Sequence, residues 1–259
     1  MNAEKLHQLT AHSGALYALA HGRTTNALFS AGGDRVVAEW NLERAETNAF
    51  AVRTESTVYS LLNLDNKLVI GTSNGGMHVI NLETKRELRH LKLHDKGIFH
   101  LFNDHTNSRV YACSADGSVS VWNPEDWSLL WHLNLSNQKI RRATQNSDAS
   151  LTAFACGDGK CIITENKNHQ VIFEIEAHEE SCNSLAFLPS GNLITGGKDA
   201  FLRIWDSNKG FSLIKEIPAH NYAIYDIIIN QESGWVATAS RDKTIKLWNL
   251  EFNETPIRL

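Results

Sequence analysis

The chain has 259 residues, and its 29 Asp and Glu against 25 Lys and Arg give a formal charge of −4, which excludes the dense basic field that non-specific nucleic-acid binding requires. Hydrophobic residues make up 42% and charged ones 21%, the balance of a folded globular protein rather than a disordered one. The longest apolar run, Ala15–Ala20, is six residues, far short of the roughly 18 of a membrane helix, and the opening MNAEKLHQLTAH lacks the apolar stretch of a secretory signal.

In chain order, Glu4–Leu9 reads as a first strand. The segment LFSAGGDRVVAEWN (28–41) follows, with Ser30, Asp34 and Trp40, and with His12 standing 22 residues before Asp34. LVIGTSNGGMHVIN (68–81) aligns with it, carrying Asn74 and Ile80 at the Asp and Trp positions and no upstream His. VYACSADGSVSVWN (110–123) keeps Asp116 and Trp122, with His94 22 residues before Asp116, but has Ala112 at the hydroxyl position. TAFACGDGKCIITE (152–165) keeps only Asp158, and Thr164 replaces Trp. LITGGKDAFLRIWD (193–206) and VATASRDKTIKLWN (236–249) restore the full set: Thr195, Asp199 and Trp205 after His178, then Thr238, Asp242 and Trp248 after His220. The tryptophans lie 82, 83 and 43 residues apart, so the unit is about 41–43 residues long and recurs six times.

Each unit reads as short strands. Phe201–Trp205 and Thr244–Trp248 alternate apolar with polar residues, the period of a half-exposed strand. Gly32-Gly33-Asp34, Asp116-Gly117 and Asp158-Gly159 supply turns between strands. Roughly 24 strands in equal modules imply radial repetition, a β-propeller.

The units resemble WD repeats, over residues 4–250. The resemblance implies a single domain, 1–259, built as an all-β propeller of six four-stranded blades. It also implies hydrogen-bonded tetrads at His12/Asp34/Ser30/Trp40, His178/Asp199/Thr195/Trp205 and His220/Asp242/Thr238/Trp248. A buried indole N–H needs an acceptor, a hydroxyl accepts it while donating to imidazole, and the Asp selects the tautomer. The third repeat keeps a partial tetrad, His94, Asp116 and Trp122, so its indole is expected to lack the usual partner. In repeats two and four apolar packing of Ile70, Ile80, Phe154 and Ile163 is expected instead. In such propellers the sequence unit begins with the outer strand, so Glu4–Leu9 is expected to pair with Thr244–Trp248 and close the ring. Glu254–Leu259 also reads as an outer strand; the alternative is a seven-bladed propeller truncated at its C-terminus, in which residues 250–259 hold that edge.

Imidazole, carboxylate and hydroxyl together also spell a hydrolytic triad, but the trio recurs three times with a Trp attached, and a catalytic site needs to occur once. Gly71-Thr72-Ser73-Asn74-Gly75 matches a nucleophile-elbow motif by letter, yet stands where other repeats have a hairpin turn. Gly157-Asp158-Gly159-Lys160 is likewise a turn. Cys113, Cys156, Cys161 and Cys182 lack zinc-site spacing and read as free thiols of a reducing compartment. His90, His100 and His105 cluster near His94 without metal-binding spacing, so neither metal nor cofactor is expected.

In WD-repeat propellers, positions just after the tetrad His surround one mouth of the central channel, where several members read peptides. Here those positions are Tyr17, Tyr59, Phe99, Arg141, Asn183 and Tyr225, in steps of 42, 40, 42, 42 and 42. Aromatics and Arg are the residues that interfaces concentrate at hot spots; packing between neighbouring blades is the competing explanation. Arg141-Arg142 reads as a solvated pair, with an acidic partner as the sharper alternative. The resemblance therefore implies a non-enzymatic, cytoplasmic protein-interaction scaffold that binds a protein or peptide. An enzyme or small-ligand sensor built on the channel, or a nucleic-acid-associated propeller, are the alternatives; no membrane association is expected.

Overall fold

Runs such as Leu68-Val69-Ile70 and Val119-Ser120-Val121 are too short for helices and rich in β-branched side chains, and they form strands. The computed structural model describes residues 5–259. Among these, the chain forms six four-stranded antiparallel sheets, each made of four strands consecutive in sequence, and the only helix is the single 3-10 turn Ser207–Lys209. These are the six blades of an all-β propeller, at residues 16–53, 58–92, 98–134, 140–176, 182–218 and 224–258. The chain divides into two compact units with three blades each, residues 5–134 and 135–259.

Within each unit, neighbouring blades share an apolar layer. Phe29, Phe50 and Val58 pack with Leu68, Ile70 and Ile80 between blades 1 and 2. Val69, Met77 and Val79, on the opposite face of blade 2, pack with Ile98, Val110 and Trp122 of blade 3. In the other unit Ala153, Ile163, Leu185 and Trp205 join blades 4 and 5, and Ile194, Leu202, Ile227 and Trp248 join blades 5 and 6. Period-two alternation thus serves two buried faces rather than one buried and one wet. The strand Ser118–Trp122 is buried at every position, whereas Ile245–Asn249 of blade 6 is half-exposed.

The six hairpin turns between second and third strands share one geometry. The residue after the Asp or Asn adopts positive φ in every blade: Arg35, Gly75, Gly117, Gly159, Ala200 and Lys243. Glycine is required where the next blade presses on the turn. A Cβ on Gly75 would lie 2.1 Å from the His94 carbonyl oxygen, and one on Gly159 2.1 Å from that of His178, contacts no side chain tolerates. The Gly159 carbonyl in turn accepts the backbone N–H groups of Ala177 and His178 at 3.0 and 2.9 Å, so turn and neighbouring blade are locked by backbone.

The strand expected from the N-terminus is corrected. Glu4 lies outside the described residues, Lys5–Leu9 form no strand, and Leu6 is 81% exposed. The fourth strand of blade 6 is Ile257–Arg258, which pairs Lys246 with Arg258 and Leu247 with Ile257, flanked by the Leu259 N–H donating to the Ile245 carbonyl at 2.8 Å. The C-terminal residues therefore hold the edge expected for Glu4–Leu9, and the described residues form six four-stranded blades.

Candidate functional site

Three blades carry the same side-chain chain. In blade 1 the Trp40 indole N–H donates to Ser30 Oγ at 2.6 Å, Ser30 meets His12 Nε2 at 2.7 Å, and His12 Nδ1 meets Asp34 Oδ2 at 2.8 Å. In blade 5 the corresponding distances are 3.0 Å for Trp205–Thr195, 2.9 Å for Thr195–His178 and 2.9 Å for His178–Asp199. In blade 6 they are 3.0 Å for Trp248–Thr238, 2.8 Å for Thr238–His220 and 2.9 Å for His220–Asp242. The donor order is indole to hydroxyl, hydroxyl to Nε2, and Nδ1–H to carboxylate, which satisfies every buried polar atom. Ser30, Thr195 and Thr238 are 3%, 0% and 0% exposed, so each hydroxyl is enclosed within its own network.

Blade 3 departs from expectation. Its indole does not lack a partner: Trp122 Nε1–H donates to Ser120 Oγ at 2.7 Å, and Ser120 meets His94 Nε2 at 2.8 Å. Ser120 is the cross-strand neighbour of Ala112, just as Ala38 is of Ser30 in blade 1. The hydroxyl has crossed the hairpin while keeping its place between indole and imidazole. His94 Nδ1 is held by Ser118 Oγ at 3.0 Å and Asp116 Oδ2 at 3.3 Å. In blades 2 and 4, Ile70, Ile80, Phe154 and Ile163 are all buried. Blade 4 replaces the imidazole with Ser136, whose hydroxyl reaches Asp158 Oδ2 at 3.3 Å.

Burial pushes the His94, His178 and His220 imidazoles below their usual range, more than their Asp partners raise them. Burial would raise the carboxyls, but it is outweighed. Hydrogen bonds from Ser118 leave Asp116 at about 2, and those from His178 and Arg203 hold Asp199 well below the carboxylate range. Both kinds of shift have the same sign: the unfolded chain binds protons that the folded one refuses, so stability falls as pH falls. The histidine contribution is complete above about 6.5 and lost below it; the Asp116 contribution is complete above about 4 and lost towards about 2. Thermal melts across pH should therefore show a plateau above pH 7, a decline beginning below 6.5 and a second, steeper one below 4. A midpoint unchanged between pH 7 and 5 would contradict the neutral-imidazole assignment.

The six candidate binding positions share a feature that spacing does not show. Each is the unpaired residue of a β-bulge in the first strand of its blade. The register breaks between Leu16 and Ala18, Val58 and Ser60, Ile140 and Arg142, Cys182 and Ser184, and Ile224 and Asp226, and it skips Phe99 between Ile98 and His100. A bulge re-aims the side chain it frees. In residues 5–134 the freed rings form a ladder: Tyr17 meets Tyr59 edge-on at 5.5 Å, and Tyr59 stacks on Phe99 at 5.3 Å. Gly97 leaves room for the Tyr59 ring, whose atoms would lie 2.8 Å from a Cβ there. Tyr17 is 56% exposed.

In residues 135–259, Tyr225 is 54% exposed, but two members differ from the expected exposed set. Asn183 is buried, and its amide donates to the Ile224 carbonyl at 2.9 Å. Arg141 is half-buried and its Nε–H donates to Ser181 Oγ at 3.1 Å. The neighbouring Arg142 is not a free solvated cation either; it pairs with Asp226 at 2.6 Å.

The remaining motifs fall into place. Gly71–Gly75 spans the hairpin between strands Lys67–Thr72 and Gly76–Asn81, and residues 157–159 turn between Leu151–Cys156 and Lys160–Glu165. All four cysteines are free and buried, with the Cys156 thiol pushed up to about 12 by burial. One grouping escaped the sequence analysis: His78, Glu87 and His90 converge on blade 2. Its signal was the symmetry of 78 and 90 about the hairpin turn between them. No helix among the described residues is long and apolar enough to cross a membrane.

The WD domain, G-beta repeat family matches residues 85–123, 169–206 and 211–249. The "Striatin homolog" of Dictyostelium discoideum is 21% identical over 95% of this chain and 29% of its own length. "Protein transport protein sec13" of Aspergillus fumigatus is 24% identical over 64% of this chain and 67% of its own length. "Striatin-3" of Homo sapiens is 20% identical over 96% of this chain and 35% of its own length. The chain spans 29%, 7% and 63% of the lengths of the first three curated relatives it matches.

Proposed function

Because the chain belongs to the WD40-repeat β-propeller family, we propose that it is a non-enzymatic protein-interaction scaffold. It takes a peptide segment of a partner protein on the aromatic residues that the first-strand bulges of blades 1 to 3 free from the ladder. The observation that carries this reading is the stacked series Tyr17, Tyr59 and Phe99, which ends in a ring more than half exposed. The fold does not need an aromatic there: the corresponding bulges of blades 4 and 5 carry Arg141 and Asn183. Aromatic rings offer large contact area at low entropy cost. The names of the matched relatives range from striatin to protein transport protein sec13, so the architecture is what they share and the partner is this chain's own. A cytoplasmic setting is part of the proposal, supported by four cysteines held as thiols.

Capture of partners on the tagged full chain, with identification by mass spectrometry, tests it. Tyr17→Ala removes the exposed ring and Tyr59→Ala the ring it packs against; each should weaken the main partner about tenfold to thirtyfold, the first with little change in thermal midpoint. A main partner retained in full by both variants would overturn the assignment.

A further inference from the structure

We propose that His78, Glu87 and His90 bind a divalent transition-metal ion, with zinc the best fit, on the hairpin between the third and fourth strands of blade 2. His78, on strand Gly76–Asn81, stands directly opposite His90, on strand Arg86–Lys92. Their rings stack at 4.2 Å, with an interplanar angle of 11°. In a regular strand Glu87 would point to the face opposite His90. The register prevents this. Val79 pairs with Arg89 and Ile80 with Glu87, leaving Leu88 over as a bulge, and the bulge turns Glu87 onto the face that carries both imidazoles.

Glu87 Oε1 lies 2.7 Å from His78 Nδ1, and one ligand atom from each of the three residues lies within 4.8 Å of the others. Tetrahedral zinc, with bonds of about 2.0–2.2 Å, holds its donors roughly 3.3 Å apart. The three side chains reach that spacing by rotamer adjustment, because Glu87 and His90 are exposed and His78 is only half-buried. Among the described residues no other three His, Cys, Asp or Glu side chains converge in this way.

The donor set selects the ion. Two imidazoles and one carboxylate suit zinc and its transition-metal neighbours, whereas calcium and magnesium prefer oxygen alone. His78 and Glu87 line a groove shared with Arg53, Glu55 and Lys85, which gives an ion access to two of its three ligands, and the third, His90, is itself exposed. The two carboxylates there offset the two cations, and the Lys85 ammonium is engaged by the Ala49 carbonyl at 3.2 Å. In blade 5 the positions of His78 and His90 are held by Arg203 and Glu216, which join the same two strands by an ion pair of 2.6 Å. Bound metal would make the corresponding stitch in blade 2.

The test is calorimetric titration of the tag-free full chain with zinc chloride, paired with electron paramagnetic resonance of the copper(II)-loaded protein. One zinc per chain is expected, with a dissociation constant on the order of micromolar. His78→Ala and His90→Ala should each weaken it at least about tenfold, and Glu87→Gln by a smaller factor. Copper(II) should show coupling to two nitrogens in the unmodified protein and to one in His90→Ala. His90 is exposed, so that variant keeps its fold, as circular dichroism will verify. Absence of zinc binding up to about 100 micromolar, or equal affinity in His90→Ala and the unmodified chain, overturns the proposal.

Discussion

Ser120→Ala should destabilise the protein by about 2–4 kcal/mol, because it strands two buried groups at once. The Trp122 indole N–H loses its acceptor and His94 Nε2 loses its donor, and each unsatisfied buried group costs about 1–3 kcal/mol. For a chain of this size that is a fall in thermal midpoint of roughly 5–15 °C. The compensating change is Ala112→Ser. It returns the hydroxyl to the strand that carries it in blade 1, where Ser30 faces Ala38, and the double variant should recover more than half of the loss. Urea midpoints of the two single variants and the double variant decide the matter. If Ser120→Ala lies within about 0.5 kcal/mol of the parent, or the double variant is no better than the single, the crossed tetrad does not contribute as described.

Asp199→Ala should have a comparable effect for an electrostatic reason. Asp199 accepts from His178 and from Arg203 Nη1 at 2.7 Å, and the Arg203 side chain is only 13% exposed. Removing the carboxylate leaves a largely buried guanidinium with Glu216, at 2.6 Å, as its one remaining acidic partner among the described residues, and it releases the imidazole tautomer. Breaking a buried pair from one side costs about 3–5 kcal/mol, and Glu216 reduces that to about 2–4. Asp158 is the internal control. It stands at the same repeat position but, among the described residues, meets only the Ser136 hydroxyl at 3.3 Å and the Lys160 backbone N–H at 3.2 Å, so Asp158→Ala should cost less than about 1 kcal/mol. Equal shifts in denaturation midpoint for both variants would remove the argument that the imidazole–carboxylate contacts stabilise the blade.

The tetrads of blades 1, 5 and 6 were legible because each is local: four residues within one repeat unit, at offsets set by strand and turn lengths. The crossed hydroxyl of blade 3 was half legible. Alignment marks Ala112 as the missing member, but only the pairing of Ala112 with Ser120 shows that the neighbouring strand supplies the oxygen. Candidate binding positions were found by a constant step from the tetrad His, and the bulges that free them left no mark of their own, since Tyr17, Arg141 and Asn183 have no residue type in common. The same holds for blade 2. His78 and His90 sit twelve residues apart, and a bulge at Leu88 decides which way Glu87 faces.

By itself the sequence determined six repeats of short strands and the buried anchors of blades 1, 5 and 6, because repeat length, period-two alternation and turn residues all recur along the chain. Tertiary structure alone decided which segment completes blade 6. Glu4–Leu9 and Glu254–Leu259 both have the pattern of an outer strand, and the pairing chose Ile257–Arg258 against Lys246 and Leu247. An edge strand is held mainly by backbone N–H and carbonyl groups, which every non-proline residue carries alike. Side chains therefore say little about which edge strand wins, and geometry settles the choice.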